Sequence, residues 1–565
     1  MPVKRNSTER GLVLLIYSIR LVTIVFSEHC VVDAFVLPNN ILRRPRPIES
    51  SAEQMESLTS MKNEAEKVTK KTNIDENDIM RNDIIRPLDQ NWWPVSTLSC
   101  LDLEKPNPVT IFGQTLILLP VMVDDNDEYS VFTWKCFPED MQSSSFDVKT
   151  DGKASVAEES SFPVQISAGL VWVWPSATTR PPAETPTSTG LSISPLLQRW
   201  YTQFSHDDNE LSHDGGGSHD CFFVRDVLCP IDILMENFMD VARLPFVHNS
   251  LGGLDRQEAR PIKMTMIEKK ENNSGDGFPM FQAQVVNAWN TDPIFVASES
   301  EDILEDATST ISFYPPNHIR IERHKGGGAL YSSAHIFLTP LQTSGQTRIF
   351  YSQIFGEALA EENSGAVTTA MARKLLDPSS VRNHMFLHQL MDGDLILTAL
   401  RWEQKNYNNK REAIVPSVDI LGRAYRKEYW NPVKATTDLK GFFESSDVPP
   451  RINRRSLLDR RSHTDNCRIC RKAEEKVKQL YGRLGLLRTG LIATAGAGRF
   501  FSWMILLAQN NLMKSRSHAL AILQSVAMSS AVLSVVAAII ISYWRQSVQR
   551  NLQKFTFEDY VHAHK

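Results

Sequence analysis

From Ala519 to Trp544 the chain reads ALAILQSVAMSSAVLSVVAAIIISYW, with no charged residue and only Gln524 as a strongly polar side chain. A bilayer core is crossed by roughly 20 apolar helical residues. This run therefore predicts a membrane-spanning helix near the C-terminus. A weaker apolar stretch precedes it, Leu486–Ala508, with Arg488 near its start and Arg499 in its middle. Arginine at mid-membrane costs about 3 kcal/mol on insertion scales. The stretch either crosses as the partner arm of a helical hairpin or lies in the interface, so region 486–545 is read as one or two transmembrane helices. Lys514 and Arg516 lie between the two stretches, and Arg545, Arg550 and Lys554 follow the second. Basic residues on both sides leave the orientation open.

The other end reads as a targeting segment, residues 1–35. Lys4, Arg5 and Arg10 precede an apolar run from Gly11 to Phe26 that is interrupted only by Arg20, the order of a signal peptide. Asp33-Ala34-Phe35-Val36-Leu37-Pro38 follows, then Arg43, Arg44 and Arg46 with no acid until Glu49. A signal-like region ending in Ala-Phe before a basic stretch resembles the two-part plastid presequence of algae with complex plastids. That resemblance implies a plastid (chloroplast) membrane. A plain secretory signal, or an anchor in another endomembrane, is the competing reading.

At 565 residues the chain has room for two or three domains plus tails. A net charge of −5 with 22% charged residues gives no basic footprint for nucleic acid. Seven scattered cysteines do not make a secreted disulfide scaffold. Of the 14 histidines, none lies between His29 and His206.

Residues 36–88 are polar and poor in aromatics, a flexible leader. Short β-type runs then recur at Val109–Phe112, Thr115–Pro120, Tyr129–Trp134 and Leu170–Trp174, which predicts a small all-β module over 89–176 with a Ser-rich loop between Glu139 and Ser161. A Pro-, Ser- and Gly-rich linker, 177–220, leads to a larger α+β domain, 221–430. Its first helix is predicted over Pro230–Ala242, from the apolar stripe Ile231, Leu234, Met235, Phe238 and Met239. Pro245 is expected to end or bend this helix and turn His248 back toward it. Strand-like runs follow at Met264–Ile267, Phe281–Ala288, Thr310–Phe313, Ile319–Arg323, Ala334–Pro340 and Arg348–Phe355, with helices at Ala366–Leu376 and from about Asp394 to Gln404. A C-terminal region, 431–485, carries Cys467-x2-Cys470, and a short tail, 546–565, closes the chain.

Four blocks in order carry a family resemblance. They are Asn91-Trp92-Trp93-Pro94-Val95 with Ile111-Phe112-Gly113-Gln114; Gly169-Leu170-Val171-Trp172-Val173-Trp174-Pro175; Arg225-Asp226 leading into Asn237-x2-Asp240-x2-Arg243-x4-His248; and Asn466-Cys467-x2-Cys470. Over roughly 90–545 the chain resembles the pheophorbide a oxygenase and chlorophyllide a oxygenase branch of the Rieske-type nonhaem iron oxygenases. The resemblance implies an α+β fold: a Rieske-like β domain, a helix-grip oxygenase domain of antiparallel sheet and helices, and C-terminal transmembrane helices. It also implies a [2Fe-2S] cluster, a mononuclear Fe(II) and trimeric assembly.

The residues depart from that pattern at both metal centres. A Rieske cluster needs two thiolates and two imidazoles. Here Cys136 stands where the first Cys-x-His pair belongs, no Cys has a His two or three positions later, and the module has no histidine at all. A conventional Rieske centre is therefore not expected. The mononuclear iron of the family takes two His and one carboxylate. His248 matches one histidine and Asp394 is the candidate carboxylate, but Arg243 occupies the other His position. A guanidinium does not ligate a cation. It can instead replace the charge of the metal by pairing with Asp394 or Asp240, or it can turn out to solvent.

Cys467 and Cys470 lie among Arg461, Arg468, Arg471 and Lys472, where positive charge favours thiolate. They read as a redox pair or as structural thiols, while a zinc site would need two further ligands. Three functional readings follow from the resemblance. One is a degenerate, membrane-anchored family member that binds a chlorophyll derivative or another tetrapyrrole. The second is an active oxygenase with an unorthodox metal site. The third is a structural partner of an active paralogue in a homo- or hetero-trimer.

Overall fold

A computed structural model describes residues 86–560; residues 1–85 and 561–565 and, among the longer internal stretches, 140–160, 180–196, 198–221, 268–279, 287–307, 356–379, 409–418 and 438–452 lie outside the described residues. The predicted targeting segment, all of the leader but residues 86–88, most of the linker and the predicted helix Ala366–Leu376 lie outside the described residues; Leu88, placed in the flexible leader by the sequence, is buried in a 3₁₀ turn.

Two small antiparallel sheets come first. Strands β1 (Trp93–Thr97), β5 (Val164–Ser167) and β6 (Leu170–Val173) form one in the order β1-β6-β5. Strands β2 (Asn107–Ile111), β3 (Gln114–Val123) and β4 (Val131–Pro138) form the other. The β2–β3 and β5–β6 hairpins each close through two residues at positive φ, Phe112-Gly113 (51° and 79°) and Ala168-Gly169 (50° and 74°). That is the turn whose twist suits a two-residue hairpin. The first of these turns docks on the larger domain. Phe112 and Gly113 donate backbone N–H bonds to the carbonyls of Pro340 and Leu341, and Arg348 donates to the carbonyl of Val95 at 2.7 Å.

The large sheet has seven antiparallel strands in the order β7-β13-β12-β11-β10-β9-β8: β7 Phe223–Val227, β8 Lys263–Met266, β9 Phe281–Val286, β10 Thr308–Tyr314, β11 His318–His324, β12 Leu330–Gln342 and β13 Gln346–Phe355. The six predicted runs between Met264 and Phe355 all fall on these strands. Strand β7 has no such apolar signature, because Arg225 and Asp226 sit in its middle; both find partners, as described below.

Helix α1 (Ile231–Met239) packs its predicted apolar stripe, with Met235 fully buried, in the same core as Ile311, Phe313 and Ile349 of the sheet. It stops at Asp240 (φ −92°, ψ 86°), earlier than predicted, and Pro245 is not what ends it. A 3₁₀ turn, Val241–Arg243, intervenes, and Pro245 sits in the first turn of a new short helix, α2 (Leu244–Val247), where its missing N–H is harmless. His248 caps α2.

Helix α3 (Val381–Asn408) begins thirteen residues before the predicted start at Asp394. Its first half buries His384, His388 and Asp392, spaced i, i+4 and i+8 on one face. A polar buried face leaves no apolar periodicity to read. Helices α4 (Ile420–Ala424) and α5 (Asn431–Thr436) flank a π-helical segment, Tyr425–Trp430, whose Tyr425 and Tyr429 pack edge-on against Phe313.

The C-terminal part holds α6 (Arg454–Leu457), α7 (Arg461–Asn466), α8 (Arg468–Asn511) and α9 (Ser517–Gln553). Helices α8 and α9 are long and apolar enough to cross a membrane by length and composition. They pair antiparallel: a side chain at Gly498 would meet the Ala527 carbonyl at 3.1 Å, and Arg545 lies over the Tyr481 ring at 4.1 Å. Their outer faces expose Phe500, Trp503, Ile522, Val526 and Ile539. Beyond α9 the chain folds back on the domain: Arg460 N–H donates to the Thr556 carbonyl, Thr464 Oγ1 to that of Phe555 and Tyr560 Oη to that of Val247.

Candidate functional site

The break between α1 and α2 brings the predicted iron-site residues together against α3. The turn Val241–Arg243 reverses enough to bond the Arg243 Nε back to the Asn237 carbonyl at 2.8 Å, and this aims the rest of the guanidinium at α3. There the Arg243 Nη1 donates to Asp394 Oδ1. The same oxygen lies 3.4 Å from His248 Nε2. Arg243 and Asp394 are both at least nine-tenths buried, and His248 is 1% exposed. Of the two partners allowed to Arg243 by the sequence, the structure selects Asp394. Asp240 pairs instead with Arg401, at 3.3 Å.

Burial alone would raise the Asp394 carboxyl; the nearby charges of Arg243 and His248, together with their hydrogen bonds, more than offset it and hold the group down at about 2. The carboxylate is therefore ionised and compensated by its cation. Asn237 is fully buried and neither end of its side-chain amide has a protein partner; the same holds for His248 Nδ1. Gly393, between two acids of α3, lets Tyr560 of the C-terminal return approach: a Cβ there would stand 3.0 Å from Tyr560 Oη and 3.3 Å from His248 Nδ1. Burial, then Asp394 and Asp392, push the Tyr560 phenol up to about 12, so it stays protonated and can donate to Val247.

Two residues before Asp394, Asp392 is fully buried between two arginines. Arg225 donates to its Oδ1 at 2.7 Å, and Arg460 donates to its Oδ2 through Nη2 at 2.6 Å and Nε at 3.1 Å. Arg225 also meets His388 Nδ1 at 3.3 Å, while Arg460 reaches Glu558 of the return segment. Neighbouring Asp226 takes a two-point bond from Arg348 at 2.6 and 2.8 Å. Sequence reasoning missed Asp392, Arg225 and Arg460 as a buried network; the available signal was two adjacent charges, Arg225 and Asp226, inside the otherwise apolar run from Phe222 to Val227, since buried charges need partners.

One helical turn N-terminal to His388, His384 faces His463, Cys467 and Cys470. His384 Nδ1 lies 3.1 Å from His463 Nε2, 3.3 Å from Cys467 Sγ and 3.4 Å from Cys470 Sγ, and His463 Nε2 lies 3.3 Å from Cys470 Sγ. The predicted cysteine pair is buried, and two histidines that the sequence reading did not connect with it, His384 and His463, stand beside it. The Cys467 thiol is held far below the usual thiol range by hydrogen bonding with Cys470 and then by His384 and His463, against the opposing effect of burial.

Cys136 sits in β4, opposite Leu118, fully buried. Burial pushes its thiol up to about 12. It is an inert core thiol. The Ser-rich stretch, where the resemblance would put a second Cys-His pair, falls in 140–160, outside the described residues.

No family model matches the chain, and neither does any curated protein. Among solved structures it is similar to dicamba monooxygenase bound to dicamba (15% identity, TM-score 0.36, covering 61% of this chain and 97% of that one). It is also similar to the terminal oxygenase of carbazole 1,9a-dioxygenase from Nocardioides aromaticivorans IC177 (15%, 0.35, 62% and 96%). A third likeness is to NdmA from Pseudomonas putida CBB5 with caffeine (14%, 0.32, 64% and 97%). All three overlaps are loose at these values.

Proposed function

We propose that this chain is a membrane-anchored member of the pheophorbide a oxygenase-like branch of the Rieske-type oxygenases, in which a guanidinium has taken the place of the mononuclear iron. In this reading it binds a chlorophyll derivative or another tetrapyrrole at a plastid membrane and does not oxidise it. The observation that carries the reading is the Arg243–Asp394 pair with His248 on the same oxygen. A divalent ion placed about 4 Å from a guanidinium would be repelled by about 8 kcal/mol at an effective dielectric near 20. The ion would also have only one imidazole and a carboxylate already committed to Arg243. Those residues do not fit Fe(II).

The sequence supports the same conclusion for electron supply, since the β module has no imidazole for a Rieske cluster. A binding role needs neither centre. The buried, unpartnered amide of Asn237 and Nδ1 of His248 leave a donor and acceptor set for the polar substituent of a ligand. The paired helices α8 and α9, with apolar outer faces, support a membrane anchor.

The test is analysis of the full-length protein purified in detergent for iron, acid-labile sulfide and bound pigment, followed by titration with a free pheophorbide read as tryptophan quenching. The expected result is saturable pigment binding with trace iron and sulfide. Stoichiometric iron with pigment-dependent oxygen consumption would establish the oxygenase instead. A protein that binds no pigment and forms mixed trimers with an active paralogue would establish the structural role.

A further inference from the structure

The four side chains around His384 are over-subscribed as a hydrogen-bond cluster. A single imidazole nitrogen has one proton or one lone pair, not both. His384 Nδ1 nevertheless has three polar neighbours between 3.1 and 3.4 Å: His463 Nε2, Cys467 Sγ and Cys470 Sγ. No assignment of protons satisfies all three contacts. A cation at their centre does, because each atom then directs a lone pair inward.

We propose that His384, His463, Cys467 and Cys470 hold one four-coordinate ion of zinc type, which pins the start of helix α8, and through it the apolar hairpin, to the α+β domain. The four ligand atoms all lie within 4.8 Å of one another. A tetrahedral site with bonds of about 2.0 Å to nitrogen and 2.3 Å to sulfur has edges of roughly 3.3–3.8 Å. Four of the six separations, 3.1–3.4 Å, lie at or slightly below the lower edge of that range. A bridged two-iron cluster would set the ligands of its two irons farther apart than this cage allows.

The surroundings favour a closed structural site. His463 Nδ1 lies 2.7 Å from the Val224 carbonyl, which fixes the proton there and leaves Nε2 as a lone pair pointing at the cluster. Such an outer bond is the usual means of orienting a ligating imidazole. The Phe223 ring stacks on His463 at 4.3 Å and holds its plane. All four ligands are buried, none more than 5% exposed, so there is no open position for substrate. Two thiolates and a divalent cation sum to zero charge, which is what a buried pocket tolerates.

The ligands come from three places. His384 is in the first turn of α3, His463 is in α7, Cys467 caps α7, and Cys470 is in the first turn of α8. Positions 463, 467 and 470 span the α7–α8 junction, where Cys467 is extended (φ −98°, ψ 113°), so a single ion gathers that junction onto α3.

The experiment uses the full-length protein purified in detergent without chelator from zinc-supplemented cells. Elemental analysis should give about one zinc per chain, and X-ray absorption should show two sulfur and two nitrogen neighbours. Cys470→Ser and His384→Gln should each lower zinc content about tenfold or more, whereas His388→Gln, a buried neighbour outside the set, should leave it unchanged. If either ligand variant fails to fold, the wild type decides: Cys467 and Cys470 should resist maleimide until a chelator removes the metal. Absence of zinc, a Cys467–Cys470 disulfide on mass analysis, or a shell without two sulfurs would overturn the proposal. Pigment binding has no bearing on any of these outcomes.

Discussion

Arg243 and Asp394, 151 residues apart in the chain, form a buried ion pair in which the guanidinium donates to Oδ1, the oxygen that His248 also faces. On the proposed reading, a metal ligand set has become a charge pair: the carboxylate and one imidazole converge, and the cation that joins them is part of the chain. Each component can be tested separately.

Removing the cation strands the carboxylate. Arg243→Ala leaves Asp394 buried with only His248 beside it, and breaking a buried pair in this way costs about 3–5 kcal/mol. The double variant Arg243→Met with Asp394→Leu should recover most of that loss. Chemical denaturation of the detergent-solubilised protein reads both. Single-variant losses that merely add would show that the two side chains are not coupled.

The same pair makes the fold acid-sensitive in a defined window. Asp394 is depressed to about 2 from an ordinary value of 3.8, so it contributes stability at pH values above about 4 and loses it as pH falls toward 2. The contribution is about 2 kcal/mol. Asp394→Asn should flatten the stability profile between pH 4 and 2, and an unchanged slope there would contradict the assignment.

A second acid response belongs to the sheet. His318 Nε2 and His335 Nδ1 meet at 3.2 Å on β11 and β12, both buried. Burial, and then the nearby Arg320, lower His335 from 6.5 to about 3. An imidazole kept neutral by the fold takes up its proton more readily when unfolded, so this stability is present above pH 6.5 and declines as pH falls toward 3. His335→Phe should remove the His335 share of that decline and leave the share of His318, which burial also holds neutral. Thermal midpoints measured across the window, wild type against variant, check it.

Asp392 and Gly393 tie the C-terminal return to α3. Asp392→Asn leaves Arg225 and Arg460 half-compensated in the interior and should cost about 3–5 kcal/mol. Gly393→Ala meets the Tyr560 ring at 3.0–3.1 Å and should displace the return segment at a smaller cost, about 1–3 kcal/mol. Faster proteolysis near residue 560 in Gly393→Ala, with the core melting transition retained, is the expected readout. Equal effects on core and tail would contradict it.

Apolar alternation made strands such as β9 and β11 legible, since they bury alternate residues, Phe281, Ala283 and Val285 in one and Ile319 and Ile321 in the other. The α1 stripe was legible for the same reason. What escaped the sequence was structure held by polar burial. Strand β7 hides behind Arg225 and Asp226, and the first half of α3 hides behind His384, His388 and Asp392. The site was partly legible: spacing found Asn237, Asp240, Arg243 and His248, and the choice of Asp394 over Asp240 as the partner of Arg243 needed three dimensions. Of the two histidines beside Cys467 and Cys470, His463 stands only four residues before Cys467 and was open to a reading of spacing, whereas His384 was invisible to it, coming from 83 residues upstream of Cys467.

The most direct measurement is iron per chain in the purified wild type, compared with Cys470→Ser and His248→Ala. The expected result is trace iron in all three, because on the proposed reading the Arg243 guanidinium, paired with Asp394, takes the place of the metal. Iron at about one per chain that survives Cys470→Ser and is lost in His248→Ala would place a working metal beside Asp394 and contradict the account.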